Sequence, residues 1–335
     1  MPGTDIDHLL IPGVPPLKFG AGEENTFIGS FRRVLACMGR QTSYAWLMGI
    51  SGAAFRLQIH CNGWHAVATD LISGCDLTAN LYKACGVSCD RLWMCGNRLK
   101  MAGANARIAA NIRSGIPSLG LGMDGRSWHG VVIGASSGTC LTALDYSIPS
   151  SSHEVLEKLV WCYHVVHSQG APLPPASQVC HTFSIARTLM TTNRVHSFHL
   201  GLDAYDYWCA TLTNPDHHDA QGSDWRARER NDGNYWLLVT LIDARKSAAT
   251  FCRDAVALMP DMARDLRALA SLYDAIADTL QPLLDKRTVR PARQISRSWP
   301  WTMHDRRKQA LFLSTCKGLE QEALEVMDMI KWQAC

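Results

Sequence analysis

The stretch from Pro117 to Tyr146 constrains this chain most, because its apolar residues gather there into short continuous runs and period-two alternation. Val131-Val132-Ile133 and Leu141 to Leu144 flank Ser136-Ser137-Gly138, the pattern of two antiparallel strands joined by a tight turn. A three-residue loop with Gly138 in the left-handed position pairs Ala135 with Thr139. The same register, run back along both strands, brings His129 opposite Asp145. Directly opposed residues have Cβ atoms about 5 Å apart, so the imidazole and the carboxylate are expected to meet.

A helix precedes the hairpin. Phe27, Phe31, Val34 and Met38 recur at helical spacing, with Asn25 placed to cap the start and Gly39 to end it. Residues 43 to 115 read as short helices and loops, with a helix around Leu77 to Cys85. Pro149-Ser150-Ser151-Ser152 reads as a boundary, dividing residues 1–150 from a mostly helical part at 151–335. In that part Leu266, Leu269, Tyr273, Ile276 and Leu280 form one helical stripe after Pro260-Asp261, and Leu319, Ala323, Val326 and Ile330 form another. Linkers are expected at 214–222 and 285–301.

Composition narrows the function classes. At 335 residues and 47% hydrophobic content the chain can bury a sizeable core. Lys and Arg number 33 against 30 for Asp and Glu, a balance that gives nucleic acid or a membrane surface no field to act on. No apolar run approaches the roughly 18 residues of a membrane span. Met1 to Phe19 has no basic patch followed by an apolar core, so it does not read as a signal peptide. The 13 cysteines are then expected as free thiols in a cytoplasmic, reducing compartment.

Thr26-Phe-Ile-Gly-Ser-Phe-Arg-Arg-Val-Leu-Ala-Cys-Met-Gly39 resembles the opening helix of bacteriocin-leader-processing cysteine peptidases, of the papain-like superfamily. Trp128-His-Gly-Val-Val-Ile-Gly-Ala135 and Leu141-Thr-Ala-Leu-Asp145 resemble that family's histidine strand and its acid-bearing partner. With Tyr44-Ala-Trp-Leu-Met-Gly-Ile-Ser-Gly-Ala-Ala-Phe55, residues 20 to 147 look closest to the N-terminal-domain family of butirosin biosynthesis protein H. The resemblance implies an α+β, papain-like fold, an N-terminal helix plus an antiparallel sheet, with a helical C-terminal extension. It also implies acyl or amide transfer in small-molecule biosynthesis, with a small-molecule substrate and an acyl thioester or acyl carrier protein as partner.

Such chemistry needs a nucleophile at a helix N-terminus, a histidine to move its proton and an acid to orient that histidine. His129 and Asp145 fill the last two roles, and Asn25 can polarise a substrate carbonyl. Thr26 stands where the family has cysteine, and a hydroxyl is far less acidic than a thiol. The alternative is therefore a non-catalytic ligand-binding or regulatory protein that has lost its nucleophile. Glu24 is either an acid/base partner of His129 or a charge favouring the positive helix end. Trp64 and Trp128 are candidates to line a substrate pocket, and Cys61, in His60-Cys61-Asn62-Gly63-Trp64, is a further thiol at it.

Other motifs carry less. Gly134-Ala-Ser-Ser-Gly138 matches a nucleophile elbow, but a strand rather than a helix follows it. His164-Val-Val-His167 and His196-Ser-Phe-His199 put two imidazoles near one helix face without a zinc motif, and Cys85, Cys89 and Cys95 lack a matching second pair. No metal or cofactor is expected. Lys286, Arg287, Arg290, Arg293 and Arg297, near Trp299 and Trp301, read as a solvated linker or as a basic strip for an acidic carrier protein. The sequence carries no signal for oligomeric state.

Overall fold

The computed structural model describes residues 9–94, 98–125, 127–136, 140–146, 154–156, 160–215, 225–289, 291 and 301–330. Its strands are β1 (Leu9–Leu10), β2 (Gln58–His60), β3 (Val87–Trp93), β4 (Ser118–Leu121), β5 (His129–Ser136), β6 (Cys140–Leu144), β7 (Glu154–Leu156), β8 (Cys162–Ser168), β9 (Arg194–Val195) and β10 (Phe198–Leu200). Its helices are α1 (Thr26–Cys37), α2 (Tyr44–Ser51), α3 (Thr78–Cys85), α4 (Arg98–Arg113), α5 (Pro175–Thr191), α6 (Gly201–Thr213), α7 (Trp225–Ala255), α8 (Ala263–Asp285) and α9 (Met303–Met329). The chain is mixed α+β, with antiparallel sheets and a helical C-terminal part. It forms two compact units, each assembled from separated stretches: Met1–Leu47 with Tyr82–Pro172, and Met48–Leu81 with Leu173–Cys335.

The first unit is built on a sheet of order β3-β8-β4-β5-β6-β7, with β1 pairing the far end of β5. The sheet runs past the boundary expected at residue 150, since β7 and β8 both belong to it. One face packs against α4, where Ala104, Ile108 and Ile112 meet Met123, Val132, Tyr163 and Val165. Alternation along the strands turns the neighbouring residues to the other face, where Phe27 of α1 covers His129 and His164. As expected, Asn25 caps α1 and the helix stops at Gly39, which has φ +74° and so takes the left-handed conformation that ends helices. Arg40, just past that end, donates to the carbonyls of Cys85 and Gly170 and to Ser168 Oγ at 3.0 Å, tying α3 and β8 to the helix terminus.

The second unit is mainly helical, with a small sheet of order β2-β10-β9. Phe55 sits at its centre, with ring centroids 5.8 Å from Phe183, 6.2 Å from Phe251 and 5.4 Å from Tyr273. The stripe expected on α8 is the buried one: Leu266, Leu269, Tyr273, Ile276 and Leu280 all face the core. The last helix starts well before the expected stripe, at a capping box in which Thr302 Oγ1 accepts from Asp305 N at 3.2 Å and the Asp305 carboxylate accepts from Thr302 N at 2.9 Å. Buried Arg56 and Gln58 hold the loop from Ala68 to Cys75 through its carbonyls, including Asp70 O at 2.6 Å, Cys75 O at 2.8 Å and Ala68 O at 2.9 Å. Burial lowers Arg56 to about 10, which still leaves it a cation at neutral pH.

Among the described residues no helix is long and apolar enough to cross a membrane. Among the described residues nine cysteines are free thiols, including buried Cys85, Cys162, Cys252 and Cys316. Cys180 on α5 is disulfide-bonded, which departs from the expectation of free thiols throughout. The linker at 214–222 lies almost wholly outside the described residues, as do Arg290, Arg293, Arg297 and Trp299 of the basic strip. Trp301 is buried, with the Arg306 guanidinium 5.9 Å from its ring centre.

Candidate functional site

The helix start and the histidine strand meet. Asn25 Oδ1 accepts from Ile28 N at 3.1 Å, which caps α1, and Asn25 N donates to the Tyr44 hydroxyl at 2.8 Å. Thr26 opens the helix, and its Oγ1 accepts the backbone N–H of His129 at 3.2 Å. Glu24 lies one residue before the cap and is partly buried. Its Oε1 accepts from Gly20 N at 2.7 Å, and burial pushes its carboxyl up despite the lowering effect of the Gly20 and Gly22 N–H groups.

His129 is wholly excluded from solvent. Its ring stands edge-on to Phe27 at 4.8 Å and to a second buried imidazole, His164, at 5.6 Å. β4 runs between the two histidines: Leu121 pairs with His129, and Leu119 with His164. Leu119 and Leu121 are two apart, so both imidazoles project from one face, diagonally across β4. His164 Nδ1 is 3.0 Å from the Tyr82 hydroxyl of α3. Phe27 lies over the pair, 5.4 Å from His164.

The expected partner strand is present, in a different register. Ser136 pairs with Cys140 and Ala135 with Leu141, not with Thr139. The ladder shifts at Ile133 between Val132 and Gly134, and the last pair is Val131 with Leu144. The turn therefore closes one residue later on each strand than expected, and the bulge recovers one of those positions. Gly130, not His129, comes opposite Asp145. A Cβ built on Gly130 would lie 3.0 Å from the Asp145 Cβ and would press on Met123 of the α4 face. The direct opposition of His129 and Asp145 expected from the turn is therefore not the register of this ladder.

The proposed pocket aromatics are packed rather than open. Trp128 is half-buried, edge-on to Phe19 at 5.5 Å, and Phe19 packs on Tyr146 at 4.6 Å. Trp64 is fully buried in the second unit, its indole donating to Thr211 Oγ1 at 3.2 Å and its ring 6.0 Å from Trp301. Cys61 is half-buried in that same second unit. The candidate residues thus divide: Glu24, Asn25, Thr26, Trp128, His129 and Asp145 fall in the first unit, Cys61 and Trp64 in the second.

The sequence reading missed His164 and Tyr82. It placed His164 and His167 on a helix, but both lie on β8, where His164 is buried and His167 pairs with Asp90 at 3.0 Å. The usable signal was the run Val160-Trp-Cys-Tyr-His-Val-Val166, too short for a helix and apolar on both sides of one histidine, as in a central strand. His196 and His199 likewise belong to the hairpin of β9 and β10. Among the described residues, no three His, Cys, Asp or Glu side chains are grouped to hold a metal ion. No protein-family model matches the chain, and no curated protein matches it.

Proposed function

We propose that the first unit is a papain-like scaffold used for non-covalent binding or regulation, its covalent acyl-transfer chemistry having gone with the nucleophile. The observation that carries this reading is the Thr26 hydroxyl. It stands at the helix start where such chemistry needs a thiolate, and it accepts the His129 backbone N–H at 3.2 Å while the His129 ring is sealed under Phe27. A hydroxyl at that place is not ionised by a helix end of roughly half a charge, and a base with no exposed atom cannot reach a substrate proton. The ligands this reading favours are small molecules with acyl or amide groups, the class that the superfamily's chemistry handles. The test is a panel of acyl thioesters, amides and peptides offered to the purified protein, with thermal shift and turnover followed together. Saturable stabilisation without conversion is expected; catalytic conversion of any member would overturn the reading.

A second reading, acyl or amide transfer with His129 as general base, is favoured by the approach of the α1 N-terminus to the histidine strand and by the neighbouring Tyr82–His164 pair. It requires that α1 or Phe27 move to admit substrate. Turnover that disappears in a folded His129→Ala variant would support it.

A further inference from the structure

The small sheet of the second unit runs into a turn that neither reading above uses, His60-Cys61-Asn62-Gly63-Trp64. The sheet anchors one side of it. Phe198 pairs with His60, Cys61 N donates to Ser197 O at 2.8 Å, and the Tyr207 hydroxyl donates to Cys61 O at 2.5 Å. Trp64 anchors the other side: it is fully buried, its indole donates to Thr211 Oγ1 at 3.2 Å, and its carbonyl lies close against Gly233 of α7. Between these anchors the chain turns through Asn62, which is exposed, and Gly63, whose N donates to His60 O at 3.2 Å.

Asn62-Gly63 is the single Asn-Gly pair in the sequence. In such a pair the side-chain amide carbon and the next backbone nitrogen can close a five-membered ring, and glycine puts no side chain in the way. The turn holds the pair in this state. Gly63 has φ +138°, in the left-handed range that other residues enter only with strain, so no bulkier residue can take its place and shield the nitrogen. Asn62 N is held, donating to His60 Nδ1 at 3.2 Å, whereas the donor facing its Oδ1 is a weak one, the Cys61 thiol at 3.5 Å. The main chain is thus fixed while the side-chain amide stands in water.

We propose that Asn62 is a site of spontaneous modification, at which water replaces the side-chain amide with a carboxylate by way of a cyclic imide. The Gly63 N–H leaves His60 O and gives its proton to hydroxide, and the nitrogen bonds to Asn62 Cγ. The Cγ–Nδ2 bond breaks, and ammonia departs with a proton taken from water. Water then opens the imide. Breaking the new Cγ–N bond yields aspartate; breaking the bond from that nitrogen to the Asn62 main-chain carbonyl carbon yields isoaspartate. The sum is amide plus water giving acid plus ammonia, so no oxidant or reductant is involved. Isoaspartate routes the chain through its side chain and adds a carbon to the main chain between two fixed ends. Trp64 is buried, so the displacement falls on the sheet side, where the Tyr207–Cys61 and Cys61–Ser197 hydrogen bonds loosen. The site uses none of the residues at the start of α1 and stands independently of the binding reading above.

The chain contains its own controls. Asn193 is exposed in the same unit but precedes Arg194, and Asn80 and Asn111 lie on α3 and α4. The intact protein is incubated at mildly alkaline pH, sampled over weeks, digested briefly in acid and mapped by mass spectrometry, with unaged protein as reference. Conversion to the acid is expected at Asn62 at least tenfold faster than at any control, with isoaspartate exceeding aspartate, and absent at that peptide in Asn62→Gln. Hydrogen exchange at the Cys61 amide is expected to be faster in aged protein but unchanged in fresh Asn62→Asp, which has the charge without the added carbon. Conversion of Asn62 no faster than that of Asn193, acid formed without isoaspartate, or unchanged Cys61 exchange after ageing overturns the proposal. The binding reading fails by a different measurement, catalytic turnover, so the two failures are distinguishable.

Discussion

Arg245 and Glu320 lie 2.5 Å apart in the second unit, with 1% and 2% of their side chains exposed. Arg245 also donates to Ala54 O at 2.7 Å, and the Tyr205 hydroxyl donates to Glu320 at 2.9 Å. Both charges have left water, so the pair's net worth is small, whereas breaking it strands an ion. Arg245→Met should lower unfolding free energy by about 3–5 kcal/mol, and adding Glu320→Leu should recover much of that loss; urea titrations of the single and double variants check both. Glu24 offers a pH test. Its folded-state carboxyl is raised by burial, so the folded chain holds a proton that the unfolded chain gives up near the ordinary value of 4.5. That contribution is fully present below the unfolded value and is lost as pH rises through the raised one. Glu24→Gln keeps the acceptor for Gly20 N and removes the charge, so the variant should exceed the parent in urea midpoint at pH 7 and converge with it towards pH 4. At this scale the sequence was informative where the chemistry is local. Asn25 could be read as a cap because a cap needs only the residue and its next turn. His164 could not be read as the neighbour of His129, because β4 between them comes from a third stretch of chain.

Elements were legible in kind and less so in register. The spacing of Phe27, Phe31 and Val34 specifies α1, and all three are buried on one side of it. The hairpin is also where the alternation puts it, but alternation repeats every two residues and cannot report a turn that closes one residue later. The bulge at Ile133 has no sequence mark of its own, since a valine or isoleucine run reads the same with or without one. The start of α9 escaped for another reason: its buried face includes Arg306, Gln309 and Glu320, polar residues that interrupt any apolar stripe. Asn25→Ala removes the acceptor for Ile28 N and should cost about 1 kcal/mol, read from the denaturant midpoint. Gly233 inside α7 sets a sharper test. Replacing a helical glycine with alanine ordinarily gains about 1 kcal/mol, but here the new Cβ would be driven into the backbone carbonyl of Trp64, an atom that cannot rotate away. Gly233→Ala should therefore be net destabilising, with overpacking of about 1–3 kcal/mol exceeding the propensity gain; a raised denaturant midpoint would contradict the close approach.

For the whole molecule, the decisive fact is that neither unit is a continuous piece of chain. A reading along the sequence finds boundaries where composition changes, as at Pro149 to Ser152, but it cannot see that residues 48–81 fold with a stretch that begins only at Leu173. What those residues supply is specific. Phe55 fills the middle of the ring cluster with Phe183, Phe251 and Tyr273; Ala54 provides the carbonyl for Arg245; and β2 gives β10 its partner strand. Removing a buried phenylalanine alone costs about 3–5 kcal/mol, and a chain of this size has only about 5–15 kcal/mol of net stability to lose. A polypeptide beginning at residue 151 should therefore keep helical circular dichroism without a cooperative thermal transition. Adding a peptide of residues 48–81, or joining that segment ahead of residue 173 through a flexible linker, should restore the transition. Phe55→Ala in the added segment should weaken that rescue by several kcal/mol, whereas a cooperative transition from residues 151–335 alone would mean that the second unit does not depend on the segment the fold interleaves into it.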